Sequence, residues 1–269
     1  RFDGRDVTIQ EVFEVVGAHA AGRVGPDQVH ALESVACPGA GACGGQFTAN
    51  TMSMALDLLG ISPAGLNGVP AMHPAKEEAA HEAGRLAMRL VRDDVRPSQI
   101  VTRDAIDNAI AGVAASGGST NGVLHLLAIA WELGIPLTID DFDTIAERTP
   151  SVASLTPGGR FVATDLYEAG GVAVMTRELV KGGLVHPEAR NVDGRTLGEV
   201  AAGARETPGQ EVIVSIEAPL SPSGGLAILR GNLAPEGSVV KLSGHERRHY
   251  SGPARVFECE EDAMAAVTA

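Results

Sequence analysis

Apolar residues recur at every third or fourth position through roughly the first three-quarters of the chain, and alternate only near its end. Thr8-Ile-Gln-Glu11 has the spacing of a capping box, and Ile9, Val12, Phe13 and Val16 follow at helical intervals. Pro26 is suited to the first position of a second helix carrying Val29 and Leu32. A third helix is predicted over 47–59, with Gly60 as its stop, and a fourth, rich in alanine and charge, from Pro74 to Asp93. Thr102 precedes Ile106, Ile110 and Val113, and an apolar helix is predicted over 123–133. Thr138-Ile-Asp-Asp141 marks another start, and shorter helices are predicted over 161–168 and 173–181.

The pattern changes near Thr207-Pro-Gly209. Residues 211–216 alternate, 226–229 and 239–242 are apolar runs separated by Pro235-Glu-Gly237, and 254–257 is a further strand candidate. A mostly helical N-terminal domain would therefore span 1–206, and an incomplete all-β domain would span 213–269.

Composition narrows the function. The chain has 269 residues, is 44% hydrophobic and only 3% aromatic, and carries a net charge of −13 with no basic stripe. Nucleic acid is thus not an expected partner. Its apolar runs fall well short of the roughly 20 residues of a membrane span, so no membrane partner is expected. Three cysteines, an odd number, argue against a disulfide framework and for a reducing, cytoplasmic setting. The chain opens on Arg1 and stops at Val267-Thr268-Ala269 within a helical pattern, which reads as an internal piece of a longer protein.

Candidate chemistry centres on Cys37-Pro-Gly-Ala-Gly-Ala-Cys43-Gly-Gly45, directly before the third helix. The two thiols are spaced for neither a zinc ribbon nor a thioredoxin pair. Glycines let backbone wrap a bulky group, and a helix N-terminus favours thiolate. That points to Cys43 as a metal ligand, against the plainer reading of a tight turn with inert thiols. The second glycine loop, Ser116-Gly-Gly-Ser-Thr-Asn121, reads either as a helix stop followed by a cap or as an anion-binding helix start. His125 reads as a core histidine, His19 as a helix-end histidine, and Asp140, Asp141 and Asp143 as capping carboxylates. Cys259 reads as a free thiol, and His73, His81, His186, His245 and His249 have no metal-ligand spacing.

The segment from Cys37 through Gly45 to Gln46-Phe-Thr-Ala-Asn-Thr-Met52 resembles the signature of the dihydroxy-acid dehydratases. Further segments resemble that family in its order: Asp6-Val-Thr-Ile9, Val16-Gly-Ala-His-Ala-Ala-Gly22, Gly117-Gly-Ser-Thr-Asn121, Val123-Leu-His-Leu126, Leu229-Arg-Gly-Asn-Leu-Ala-Pro-Glu-Gly-Ser238 and Tyr250-Ser-Gly-Pro-Ala254. The resemblance implies an N-terminal α/β domain joined to a β-barrel-like C-terminal domain. It implies a hydro-lyase that removes water from a 2,3-dihydroxy carboxylic acid in valine and isoleucine biosynthesis, and a homodimer when full length. An iron–sulfur cluster is implied, held by three cysteines from separate loops, with one iron open to the substrate. Cys43 matches one of those ligands and Cys37 a supporting thiol. A magnesium ion would hold the carboxylate and C2 oxygen, and a serine would be the base; the other two cysteines, the magnesium ligands and the serine would fall outside this chain. The loop with Ser119 and Thr120 would face the substrate. The resemblance does not decide between a 2Fe–2S and a 4Fe–4S cluster. Gln46 stands where methionine is expected.

On this reading the 269 residues alone neither hold a stable cluster nor turn over. The alternatives are a sugar-acid dehydratase acting on an aldonate or phosphogluconate, a non-catalytic anion-binding module, and a degenerate structural remnant.

Overall fold

A computed structural model describes residues 7–37, 40–244 and 249–268. In chain order the helices are α1 (Ile9–Ala20), α2 (Pro26–Glu33), α3 (Thr48–Leu58), α4 (Lys76–Arg92), α5 (Pro97–Ile100), α6 (Arg103–Ala115), α7 (Asn121–Glu132), α8 (Ile139–Arg148), α9 (Ala163–Glu168), α10 (Gly171–Lys181) and α11 (Leu197–Ala202). Strands β1 (Leu226–Leu229) and β2 (Ser238–Lys241) follow, then α12 (Glu260–Thr268). The described residues divide into two compact units: Gly44–Gly244, and the residues up to Cys43 together with those after Gly244.

In the smaller unit the capping box forms as its spacing demands. The Thr8 N–H and hydroxyl donate to the Glu11 carboxylate at 2.7 and 2.9 Å, and Gln10 N–H donates to the Thr8 hydroxyl. Yet α1 buries none of its residues, and Phe13 is 71% exposed. Pro26 takes the first turn of α2, and Leu32 is buried.

The larger unit is built on α6. The Thr102 hydroxyl accepts from Ala105 N–H, and ten of the helix's thirteen residues are buried. Gly112 lets α3 close on α6, since a Cβ there would lie 2.0 Å from Leu58 Cδ1. Met54, Leu58, Ile106, Ile110, Val113, Leu126, Phe142, Ile145, Met175 and Leu179 form one core drawn from α3, α6, α7, α8 and α10. Burial of this kind contributes about 25 cal/mol per Å² of apolar surface, so the core is the dominant stabilising term.

β1 and β2 pair antiparallel in the register Leu226↔Lys241 to Leu229↔Ser238. Asp143 of α8 accepts the Ile228 N–H, occupying one backbone group of β1. The fold is mixed α/β, as expected, and no barrel closure occurs among the described residues. Two expected strands are absent. Residues 211–216 make a single bridge, Ala153↔Ile213, because the Val152 and Ala153 N–H groups donate to Ala115 at the end of α6 and leave only part of a ladder. Residues 254–257 form neither a strand nor a bridge among the described residues.

Candidate functional site

Cys43 closes the smaller unit and is half-buried, as is Cys37, whose φ of 50° is left-handed; Cys259 is exposed, and none of the three is in a disulfide among the described residues. Pro38 and Gly39 between them, and His245, lie outside the described residues. No described helix is long and apolar enough to cross a membrane.

The three peptides after Cys43 are held one by one. The Gly44 carbonyl accepts from Ala163 N–H at 2.7 Å, the Gly45 carbonyl from Asn50 Nδ2 at 2.7 Å, and the Gln46 carbonyl from Lys241 Nζ at 3.5 Å. Gln46 N–H in turn donates to the Thr156 carbonyl at 2.7 Å. The Gln46 side chain is 2% exposed and donates from Nε2 to Ser116 Oγ at 3.1 Å, with Met54 Sδ at 3.8 Å. A glutamine where methionine is expected is thus satisfied by a buried hydroxyl at the end of α6.

The second glycine loop meets the start of α3. Ser119 N–H donates to Thr51 Oγ1 at 2.9 Å, the Thr48 and Ser119 hydroxyls lie 3.3 Å apart, and Asn121 Nδ2 donates to Thr48 Oγ1 at 2.8 Å. Ser119 Oγ also accepts Asn121 N–H, which is the capping role, and the loop's backbone is steered by it. The Thr120 hydroxyl has no hydrogen-bond partner among the described residues. Two helix N-termini, those of α3 and α7, therefore lie side by side, and neither is capped by the residue that precedes it. Their combined dipoles favour an anion such as a carboxylate.

Beneath these segments runs β2. Gly117 has φ +59, and a Cβ on it would lie 2.2 Å from Ser243 Oγ, so the strand's continuation presses on the loop backbone. Two residues back, Lys241 reaches the Gln46 carbonyl. Burial pushes the Lys241 ammonium down to about 8, and no carboxylate among the described residues pairs with it.

Other candidates resolve simply. His125 is exposed, not core: α7 turns Gly122, Val123, Leu126 and Ala130 inward, and the register puts position 125 on the outer face. His19 sits in the last turn of α1 with Nδ1 2.9 Å from the Val24 carbonyl. Asp141 caps α8 by accepting from Thr138 and pairs with Arg103, while Asp140 pairs with Arg230. Among the described residues no group of three or more His, Cys, Asp or Glu is placed to hold a metal ion. Lys241, Ser116, Thr48 and Thr51 were not singled out by sequence. For Lys241 the signal was available: a charge inside the apolar run Val239-Val-Lys-Leu242.

Comparison with known proteins agrees with the resemblance of the motifs. The N-terminal profile of the dihydroxy-acid/6-phosphogluconate dehydratases matches residues 2–200, and the C-terminal profile matches residues 211–269. The chain belongs to that family. It is 57% identical, over 99% of its length, to a dihydroxy-acid dehydratase of Koribacter versatilis, of which it covers 47%. It is 54% identical over 98% to one of Roseiflexus castenholzii, covering 47%, and 51% identical over 99% to one of Thermus thermophilus, covering 48%. The chain spans about half the length of the curated relatives it matches.

Proposed function

We propose that this chain is part of a hydro-lyase that dehydrates 2,3-dihydroxy-3-methyl carboxylic acids to 2-keto acids in valine and isoleucine biosynthesis. The observation that carries the reading is the family membership together with the fixed backbone following Cys43. The enzyme is read as a cytoplasmic homodimer when full length, and the boundary between its domains is read at 206–213, where the apolar pattern changes from helical spacing to alternation.

An iron–sulfur cluster and a magnesium ion belong to this reading. A half-buried thiol on a glycine loop, outside any disulfide and followed by three peptides with occupied carbonyls, fits one cluster ligand. Cys43 takes that role, and Cys37 packs behind it. The described residues supply no complete metal site, so the remaining ligands are assigned to parts of the full-length protein beyond them. When bound, the cluster supplies a Lewis acid for the departing C3 hydroxyl, and magnesium supplies charge stabilisation at the carboxylate and C2 oxygen. The chain's own contribution is recognition and order. The free Thr120 hydroxyl and the α3 and α7 N-termini bind the substrate carboxylate end, and Ser119, held by Thr48 and Thr51, keeps that loop rigid.

The test uses the full-length protein, purified without oxygen. Cys43→Ser is expected to remove the cluster's visible absorption and the bound iron, while Cys37→Ser keeps most of both. Retention of a full cluster in the Cys43 variant would overturn the ligand assignment. Turnover is measured on dihydroxyisovalerate against an aldonate and 6-phosphogluconate, and preference for either sugar acid would move the substrate to the alternative reading.

A further inference from the structure

The Ser116–Asn121 loop has few backbone donors left for a ligand. Ser119 N–H donates to Thr51 Oγ1 at 2.9 Å, and Asn121 N–H to Ser119 Oγ at 3.2 Å. Gly122 and Val123 N–H donate to the Ser119 and Thr120 carbonyls at 2.9 and 3.1 Å. The start of α7 thus offers an anion its dipole but little direct hydrogen bonding, which falls to side-chain hydroxyls.

Thr48, the first residue of α3, meets this loop inside the same compact unit. Its Oγ1 accepts from Asn121 Nδ2 at 2.8 Å and lies 3.3 Å from Ser119 Oγ. Ser119 Oγ accepts from the Asn121 N–H, so Asn121 donates once to each oxygen. Each hydroxyl has one hydrogen to give. One of the two hydrogens lies between the oxygens, whichever residue donates it. No acceptor among the described residues takes the other. Both residues are half-buried, so that remaining O–H is oriented by its neighbours as well as by water.

We propose that Thr48 and Ser119 form a paired-hydroxyl subsite that donates one hydrogen bond to an oxygen of the substrate carboxylate. Thr48 is then a further substrate-binding residue, and Asn121 a positioning residue that holds the pair through its backbone and side-chain amides. An ionised carboxylate only accepts hydrogen bonds, which suits a site with one donor to give, and a bond to a charged acceptor is among the stronger kinds. The proposal rests on the dehydratase reading, with this loop at the carboxylate end of the substrate.

The experiment measures KM and kcat on dihydroxyisovalerate with the full-length, cluster-loaded protein. Thr48→Val, which keeps the shape and removes the O–H, is expected to raise KM about 10-fold, the scale of one hydrogen bond to a charged group, with kcat changing less. Ser119→Ala is expected to do the same. Thr48→Ser, which restores the hydroxyl, is expected to recover most of the affinity. Because the pair gives one bond, the double variant is expected to fall well short of the roughly 100-fold rise that two independent contacts would produce. A wild-type KM in Thr48→Val, or a full 100-fold rise in the double variant, overturns the proposal. If Thr48→Val and Thr48→Ser both unfold at lower temperature and neither shifts KM, Thr48 only packs, and the proposal falls. Should Thr120→Val raise KM while Thr48→Val does not, the loop still binds substrate and this proposal alone is lost. Wild-type protein without turnover on a dihydroxy acid overturns the functional reading and this proposal together.

Discussion

Helices α1 and α6 are nearly equal in length, yet they are held by different forces. α1 has the better start: a reciprocal capping box with bonds of 2.7, 2.9 and 3.2 Å. α6 has one cap bond of 3.3 Å but buries ten of its thirteen residues, while α1 buries none. A cap contributes about 1 kcal/mol, whereas full burial of one Ile or Leu contributes about 1.5–3 kcal/mol. The contrast teaches that a clear local signal says where a helix begins and little about how strongly it is held.

The largest test of this contrast is Ile110→Ala. Ile110 is 1% exposed within the α3–α6 contact, where neighbours on every side limit collapse. The substitution should cost about 4 kcal/mol, toward the upper end of the range for enclosed sites. Equilibrium denaturation reads it directly, and a loss below about 1 kcal/mol would mean that α6 is not the axis of the core.

Next in size is a polar exception inside that core. Asp57, near the end of α3, has one carboxylate oxygen 3.4 Å from Gly65 N–H and the other without a hydrogen-bond partner in the described structure. It lines a cavity with Val172, Thr176 and Asn191. Burial raises its pKa to about 7, with Asp193 adding repulsion and bonds from Ser62 and Gly65 opposing. The folded value lies above the unfolded one, so its stabilising contribution is full below about pH 4 and is lost as pH rises through 7. Between pH 5 and 7 the protein should lose roughly 2–3 kcal/mol from this group, and Asp57→Asn should flatten that slope. Parallel stability–pH curves for the two proteins would show that the carboxyl ionises normally.

The same division explains what was legible in the sequence. Caps and apolar periods lie within a few residues of each other, so α1, α2, α3, α6 and α8 could be placed closely. The start of α11 carried the same signal, Thr196-Leu-Gly-Glu199, but a six-residue helix leaves almost no period to see. Alternation over 211–216 was local too, yet a strand requires a partner, and α6 had taken the N–H groups of the one available. The cysteine loop was visible as a motif, and the Ser116–Asn121 loop as punctuation between helices. The link between them was not: Lys241 meets Gln46 across 195 residues, and Ser116 meets it across 70. Such pairings arise from topology, and no window of sequence contains them.

The smallest effect separates the two helices most cleanly. Thr8→Ala removes the hydroxyl that accepts from Gln10 N–H and donates to Glu11, while leaving the Thr8 N–H bond to that carboxylate. The cost should be about 1 kcal/mol. With no buried residue in α1 to spread the loss, faster amide exchange should appear in its first turns, and α6 should exchange as before. If the α6 amides also exchange faster, α1 is coupled to the core through more than its cap, and the division between a helix held by its ends and one held by its faces does not stand.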